Sequence, residues 1–76
     1  MRKGIEQDAL QALIEAQAIR EVRVNRLEAS WGVSVRLGMT WHPIRSRREA
    51  TRTWASLTAI GKFCDSVGLK TFSVEL

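Results

Sequence analysis

The chain has one cysteine, one histidine and five glycines standing singly at positions 4, 32, 38, 61 and 68, and each scarcity removes a class of chemistry. A lone cysteine allows neither a disulfide framework nor a multi-cysteine zinc site within one chain. Cys64 falls instead on an apolar helical stripe with Leu57 and Ile60, which predicts a buried, unreactive thiol. His42 has no neighbour that spacing alone would bring to it as the base of a nucleophile. One histidine and one cysteine on separate elements cannot make a tetrahedral metal set, and the carboxylates are scattered. Isolated glycines build no phosphate-cradling loop. A pair of acid and base carboxylates would need a concave pocket, which so small a domain rarely has. The expectation is a non-catalytic protein with no cofactor, no metal and no small-molecule substrate. No apolar run approaches the roughly 20 residues of a membrane span. Arg2 and Lys3 stand near the start, but no signal-peptide-like apolar stretch follows them. A soluble, cytoplasmic protein with no membrane role is therefore expected.

The 76 residues suit a single domain, 1–76, that buries only about 60% of its unfolded surface, so the core must be thin. Hydrophobic residues at 45% and charged residues at 26% are near globular averages, which argues against disorder. The net charge of +4 is unevenly spread. Residues 1–18 set Arg2 and Lys3 against Glu6, Asp8 and Glu15, a balance of −1. Residues 54–76 balance Lys62 and Lys70 against Asp65 and Glu75. Residues 19–53 carry eight arginines against Glu21, Glu28 and Glu49, a balance of +5 with no lysine at all. The planar arginine fork suits phosphate, carboxylate and aromatic faces better than the lysine ammonium does.

Hydrophobic periodicity orders the chain as α-β-β-β-α-β. Ile5 to Ala18 reads as an amphipathic helix with Leu10, Leu13 and Ile14 on one stripe and Glu6 and Asp8 near its positive start. From Arg20 the period falls to two. Val22 and Val24 mark a first strand, Trp31, Val33, Val35 and Leu37 a second, and Thr40 to Ile44 a third. Gly38 stands where a two-residue type II′ turn wants glycine, which makes the three strands an antiparallel meander. Ser46 and Glu49 have the spacing of a helix capping box, yet an Arg-rich loop from 46 to 53 is preferred, with a helix capped at Ser56 and stopped at Gly68. Phe72, Val74 and Leu76 alternate with Thr71, Ser73 and Glu75 as a last strand. A right-handed crossover lays that strand parallel to the first, in the order 3-2-1-4. The class is α+β, with both helices packed on one face of the sheet.

A two-residue turn at Gly38 pairs Leu37 with Thr40, Val35 with His42, Val33 with Ile44, Arg36 with Trp41 and Ser34 with Pro43. Trp41 then faces away from the helices beside Arg36, with Arg23 and Arg45 on the same face. The register turns His42 inward as a structural residue, while Trp31 and Trp54 anchor the core. Arg36 and Arg45 are expected at the centre of the outer face, with Arg47, Arg48 and Arg52 flanking it on a mobile loop. Arginine interleaved with tryptophan on an open sheet face suits phosphate contacts and base stacking. The candidate nucleic-acid-binding residues are therefore Arg23, Arg36, Trp41, Arg45, Arg47, Arg48 and Arg52. The bland alternative for the same residues is a solvated basic surface with a local cation–π cover.

The segments Trp31-Gly32-Val33-Ser34-Val35-Arg36-Leu37-Gly38, Arg52-Thr53-Trp54-Ala55-Ser56-Leu57 and Gly68-Leu69-Lys70-Thr71-Phe72-Ser73-Val74 carry one family likeness. Over residues 20–76 the chain resembles small uncharacterised proteins encoded on bacterial plasmids and integrating elements. That resemblance implies a mobile-element context and no residue roles. In architecture the arrangement also looks like DNA-binding domains of the AP2 type and the arm-site-binding domains of phage integrases, a likeness of fold alone. Two functions are expected to compete. One is a nucleic-acid-binding accessory protein. The other is a protein–protein interaction module or homodimer, built through the first helix or the edge strand and having no nucleic-acid role.

Overall fold

The computed structural model describes residues 4–76, so Arg2 and Lys3 lie outside the described residues. Valines alternating with polar residues dictate the central pairing. β1 (Glu21–Arg26) and β2 (Trp31–Leu37) run antiparallel with Val22 opposite Val35 and Val24 opposite Val33, which gathers the four valines on one face. β3 (Thr40–Pro43) returns along β2. Gly38 takes φ 60° in the turn and Met39 keeps a negative φ, the type II′ pattern. That turn length fixes the register as expected, with Arg36 opposite Trp41, Val35 opposite His42, Leu37 opposite Thr40 and Ser34 opposite Pro43. After Val67 and Gly68 the chain crosses back, and β5 (Ser73–Glu75) pairs parallel to β1, setting Ser73 beside Arg23 and Glu75 beside Asn25. The sheet order is β3-β2-β1-β5 and the class is α+β.

One strand was not expected. β4 (Thr53–Trp54) pairs with β2 at Gly32 and Trp31, and two residues are too few to show a period. α1 (Gln7–Glu15) is shorter than the 5–18 helix its composition suggests. Ile5 is withdrawn from it by a parallel bridge to Ile44, in which Ile5 N donates to Pro43 O at 2.9 Å and Arg45 N donates to Ile5 O at 2.9 Å. At the far end Gln17 enters positive φ at 59° and the helix stops. α2 (Leu57–Val67) begins as predicted, with the Ser56 hydroxyl accepting from Ala59 N at 3.1 Å. It also ends as predicted. Gly68 is left-handed at φ 95° and Leu69 N donates to Cys64 O at 2.9 Å, folding a buried Leu69 onto the last turn.

Leu10 from α1 and Ile60 from α2 close with Val24, Val35 and Ile44 into a core in which each is 0% exposed. The helices thus cover one face of the sheet and leave the other open. Trp54 is buried in this core, and Trp31 packs half-buried against it. The last strand is only partly covered. Phe72 reaches the core in part, but Val74 is 41% and Leu76 92% exposed, because β5 is an edge strand that the helices hardly cover.

Candidate nucleic-acid interface

The open face takes every second residue of each strand. Across it run Trp41, Arg36 and Glu21 in one row, and Pro43, Ser34, Arg23 and Ser73 in the next. Gly32, Asn25 and Glu75 form the third. This arrangement brings Arg23 diagonally across Ser34 to Trp41, with its guanidinium carbon 4.0 Å from the ring centroid. Arg23 Nε also lies 3.4 Å from a Glu75 carboxylate oxygen. Arg36 is held more tightly. Its Nε and Nη2 donate to one Glu21 oxygen at 3.1 and 2.7 Å, and its Nη1 donates to Gly38 O. Two arginines and two glutamates therefore share the face, whose own charges sum to zero.

A groove of about 280 Å³ opens on this face. Gly32 forms its floor, with no side chain of its own and with Leu27 and Thr51 leaning over it. Trp41 and Arg23 make one wall, and Asn25 and Ser34 lie between. The side chains of Asn25, Ser34 and Thr51 spend no polar group on another residue among the described residues. Their hydrogen-bonding capacity faces solvent in the groove.

The other candidate arginines lie elsewhere. The chain leaves the sheet after Ile44, whose N–H donates to Val33 O at 2.8 Å and whose carbonyl accepts from Arg52 N at 2.8 Å. Residues 45–51 therefore form a loop tied at its neck. Inside it the Ser46–Glu49 spacing closes a turn and no helix. Glu49 N donates to Ser46 Oγ at 3.0 Å and Ser46 N to Glu49 O at 3.2 Å. Arg45 is not at the centre of the sheet face, because the Ile5–Ile44 bridge ends the strand alternation there. It lines a cleft of about 370 Å³ with Glu6, Asp8, Arg47 and Arg52 at the start of α1. That cleft is the larger concavity but a poor anion site, since Glu6 and Asp8 oppose its arginines and both Glu6 and Arg45 are already engaged.

Arg52 turns to the helix side. Its guanidinium carbon sits 4.8 Å from the Trp54 ring and 4.9 Å from Phe63, and Nη1 donates to Gln7 Oε1 at 3.3 Å. It is a structural bridge between α1, the tied loop and the aromatic pair. Arg47 and Arg48 are exposed, and their guanidinium groups have no partner among the described residues. His42 is half-buried with Nε2 3.0 Å from Thr40 Oγ1. Among the described residues no three of His, Cys, Asp or Glu gather as a metal site. No described helix is long and apolar enough to cross a membrane.

Register arithmetic found Trp41, Arg36, Arg23 and Ser34 on the open face. It missed the groove itself, although Gly32 inside a strand is the usual mark of a close approach over the backbone. Glu75 was missed too, yet it follows from laying the last strand parallel to the first. Comparison of the chain with protein-family models, curated proteins and solved structures finds no match.

Proposed function

We propose that the protein binds nucleic acid with the open face of its sheet. The observation that carries this reading is the Arg23–Trp41 pair set over the Gly32 groove, in a face whose neighbouring loop holds Arg47 and Arg48. Arg47 and Arg48 supply phosphate contacts, because neither guanidinium is paired to a carboxylate among the described residues, although Glu6 and Asp8 share the cleft at the start of α1 with Arg47. Arg36 contributes less, being occupied by Glu21 and Gly38. Measured by fluorescence anisotropy over a salt series, affinity for a mixture of single-stranded and duplex oligonucleotides falls linearly with log salt. Arg47→Ala and Arg48→Ala each lower that slope by about 1 and weaken binding equally across sequences. Arg36→Ala changes it less. An absence of binding at low salt ends this reading.

A second reading rests on a different observation. β5 has β1 on one side only, and Val74 and Leu76 are exposed beside it, the features of a sheet edge open to a partner chain. Sedimentation equilibrium that gives a dimer of wild type and a monomer of Val74→Lys supports this protein-partner function.

A further inference from the structure

We infer that the groove over Gly32 takes an unpaired base, so that the ligand of the open face is single-stranded nucleic acid and not a duplex. The inference rests on the nucleic-acid reading above and narrows it.

Charge decides between the two forms. A duplex carries one negative charge per about 1.7 Å of axis on two backbone rows. Laid across this face it sets those rows against Glu21 and Glu75, whose carboxylates cancel the two arginines there. A single strand avoids that clash. It brings a base to the face, where no net charge is needed, and leaves its phosphates to the loop that carries Arg47 and Arg48. That same loop supplies Thr51 to the groove.

The groove has what an unpaired base requires. Trp41 with Arg23 at 4.0 Å forms a stacking platform, since bases stack on aromatic rings and on guanidinium planes alike. Asn25 offers both donor and acceptor, and the Ser34 and Thr51 hydroxyls offer either, all of them unspent on other residues among the described residues. In a duplex the Watson–Crick edge is already paired and the base faces are stacked, so neither feature could be used. Gly32 lets Leu27 and Thr51 pack directly against the strand and shape the groove. A Cβ there would come within 3.3 Å of Leu27 Cδ1 and bring that side chain into the groove.

The test is anisotropy of one labelled mixed-sequence oligonucleotide of about 12 nucleotides, alone and annealed to its complement, at equal salt. The single strand binds at least about 10-fold more tightly than the duplex. Trp41→Ala weakens single-strand binding about 5- to 150-fold, the range for losing one stacked base, and leaves the log-salt slope unchanged because a ring releases no counterions. Trp41→Phe restores part of the loss. Ser34→Val, a substitution that a central strand accepts, fills the groove and lowers single-strand affinity without touching a charge. Circular dichroism of each variant confirms the fold. Equal or tighter binding of the duplex overturns the inference while the nucleic-acid reading stands. Wild-type affinity in both Trp41→Ala and Ser34→Val overturns it as well. Failure of both oligonucleotides to bind removes the wider reading with it.

Discussion

Cys64 sits at 2% exposure between the α2 stripe and the sheet, and burial pushes its thiol above the ordinary range, with the Asp65 carboxylate adding to the shift. Two consequences follow from one cause. A thiol reagent should react with native protein only as fast as the fold opens, and the rate should rise sharply once denaturant unfolds the chain. Stability should also depend on pH. The folded thiol keeps its proton to a higher pH than the unfolded one, so above about pH 8.5 the unfolded chain binds fewer protons and the native state loses stability as pH rises. The urea midpoint of wild type should thus fall between about pH 7.5 and 9.5 more than that of Cys64→Ala, which lacks the group. The chain has no tyrosine, so ultraviolet absorbance of the thiolate can follow the same ionisation directly. At this scale the sequence was readable wherever a period was unbroken. Cys64 and Trp41 stand inside regular runs and lie where counting puts them. Arg45 does not, because the bridge between Ile5 and Ile44 interrupts the alternation, and nothing local in the sequence announces a contact spanning 39 residues.

At the scale of elements, α2 offers a matched pair of glycines with opposite roles. Gly68 is at φ 95°, and a Cβ there would meet Ile14 Cγ2 at 3.7 Å, an ordinary contact. The cost of Gly68→Ala is therefore the backbone term alone, about 1–2 kcal/mol. Gly68→Asn should cost less, since asparagine tolerates the left-handed region. Gly61 lies inside the same helix with nothing within 4 Å of an added Cβ, so Gly61→Ala should stabilise by about 0.5–1 kcal/mol through helix propensity and a less flexible unfolded chain. Chemical denaturation of the two variants checks both signs, and equal effects would refute the assignment of the helix end. Start and stop signals made this helix legible, because serine and glycine act on their own immediate backbone. β4 was not legible. Trp54 owes its place to the Trp31 pairing and to Phe63, with ring centroids 5.0 Å apart, and such contacts are made by the finished core. The same holds for α1, whose composition favours helix from Ile5 but whose Ile5 is taken by the bridge to Ile44.

For the whole molecule the question is whether +4 acts as a diffuse charge or as a placed one. The open face is neutral in its own residues, while Arg47 and Arg48, on the loop that lends Thr51 to its groove, are unpaired among the described residues. Removing one carboxylate raises the net charge by one wherever it is done, so position is the only variable left. Glu75→Gln frees Arg23, whose Nε now lies 3.4 Å from that carboxylate. Glu15→Gln does the same arithmetic on exposed α1, on the opposite side of the sheet. At 0.1 M salt, charges separated by more than about 10 Å are largely screened. A ligand on the open face should therefore feel the first change strongly and the second weakly. Glu75→Gln should tighten oligonucleotide binding several-fold and steepen the log-salt slope by up to about 0.7–0.9, one further phosphate contact. Glu15→Gln should leave the slope unaltered and shift affinity only in very low salt, where screening lengthens to about 30 Å. If the two variants behave alike, the arginine-rich middle of the chain acts through net charge and the open face is not where nucleic acid sits.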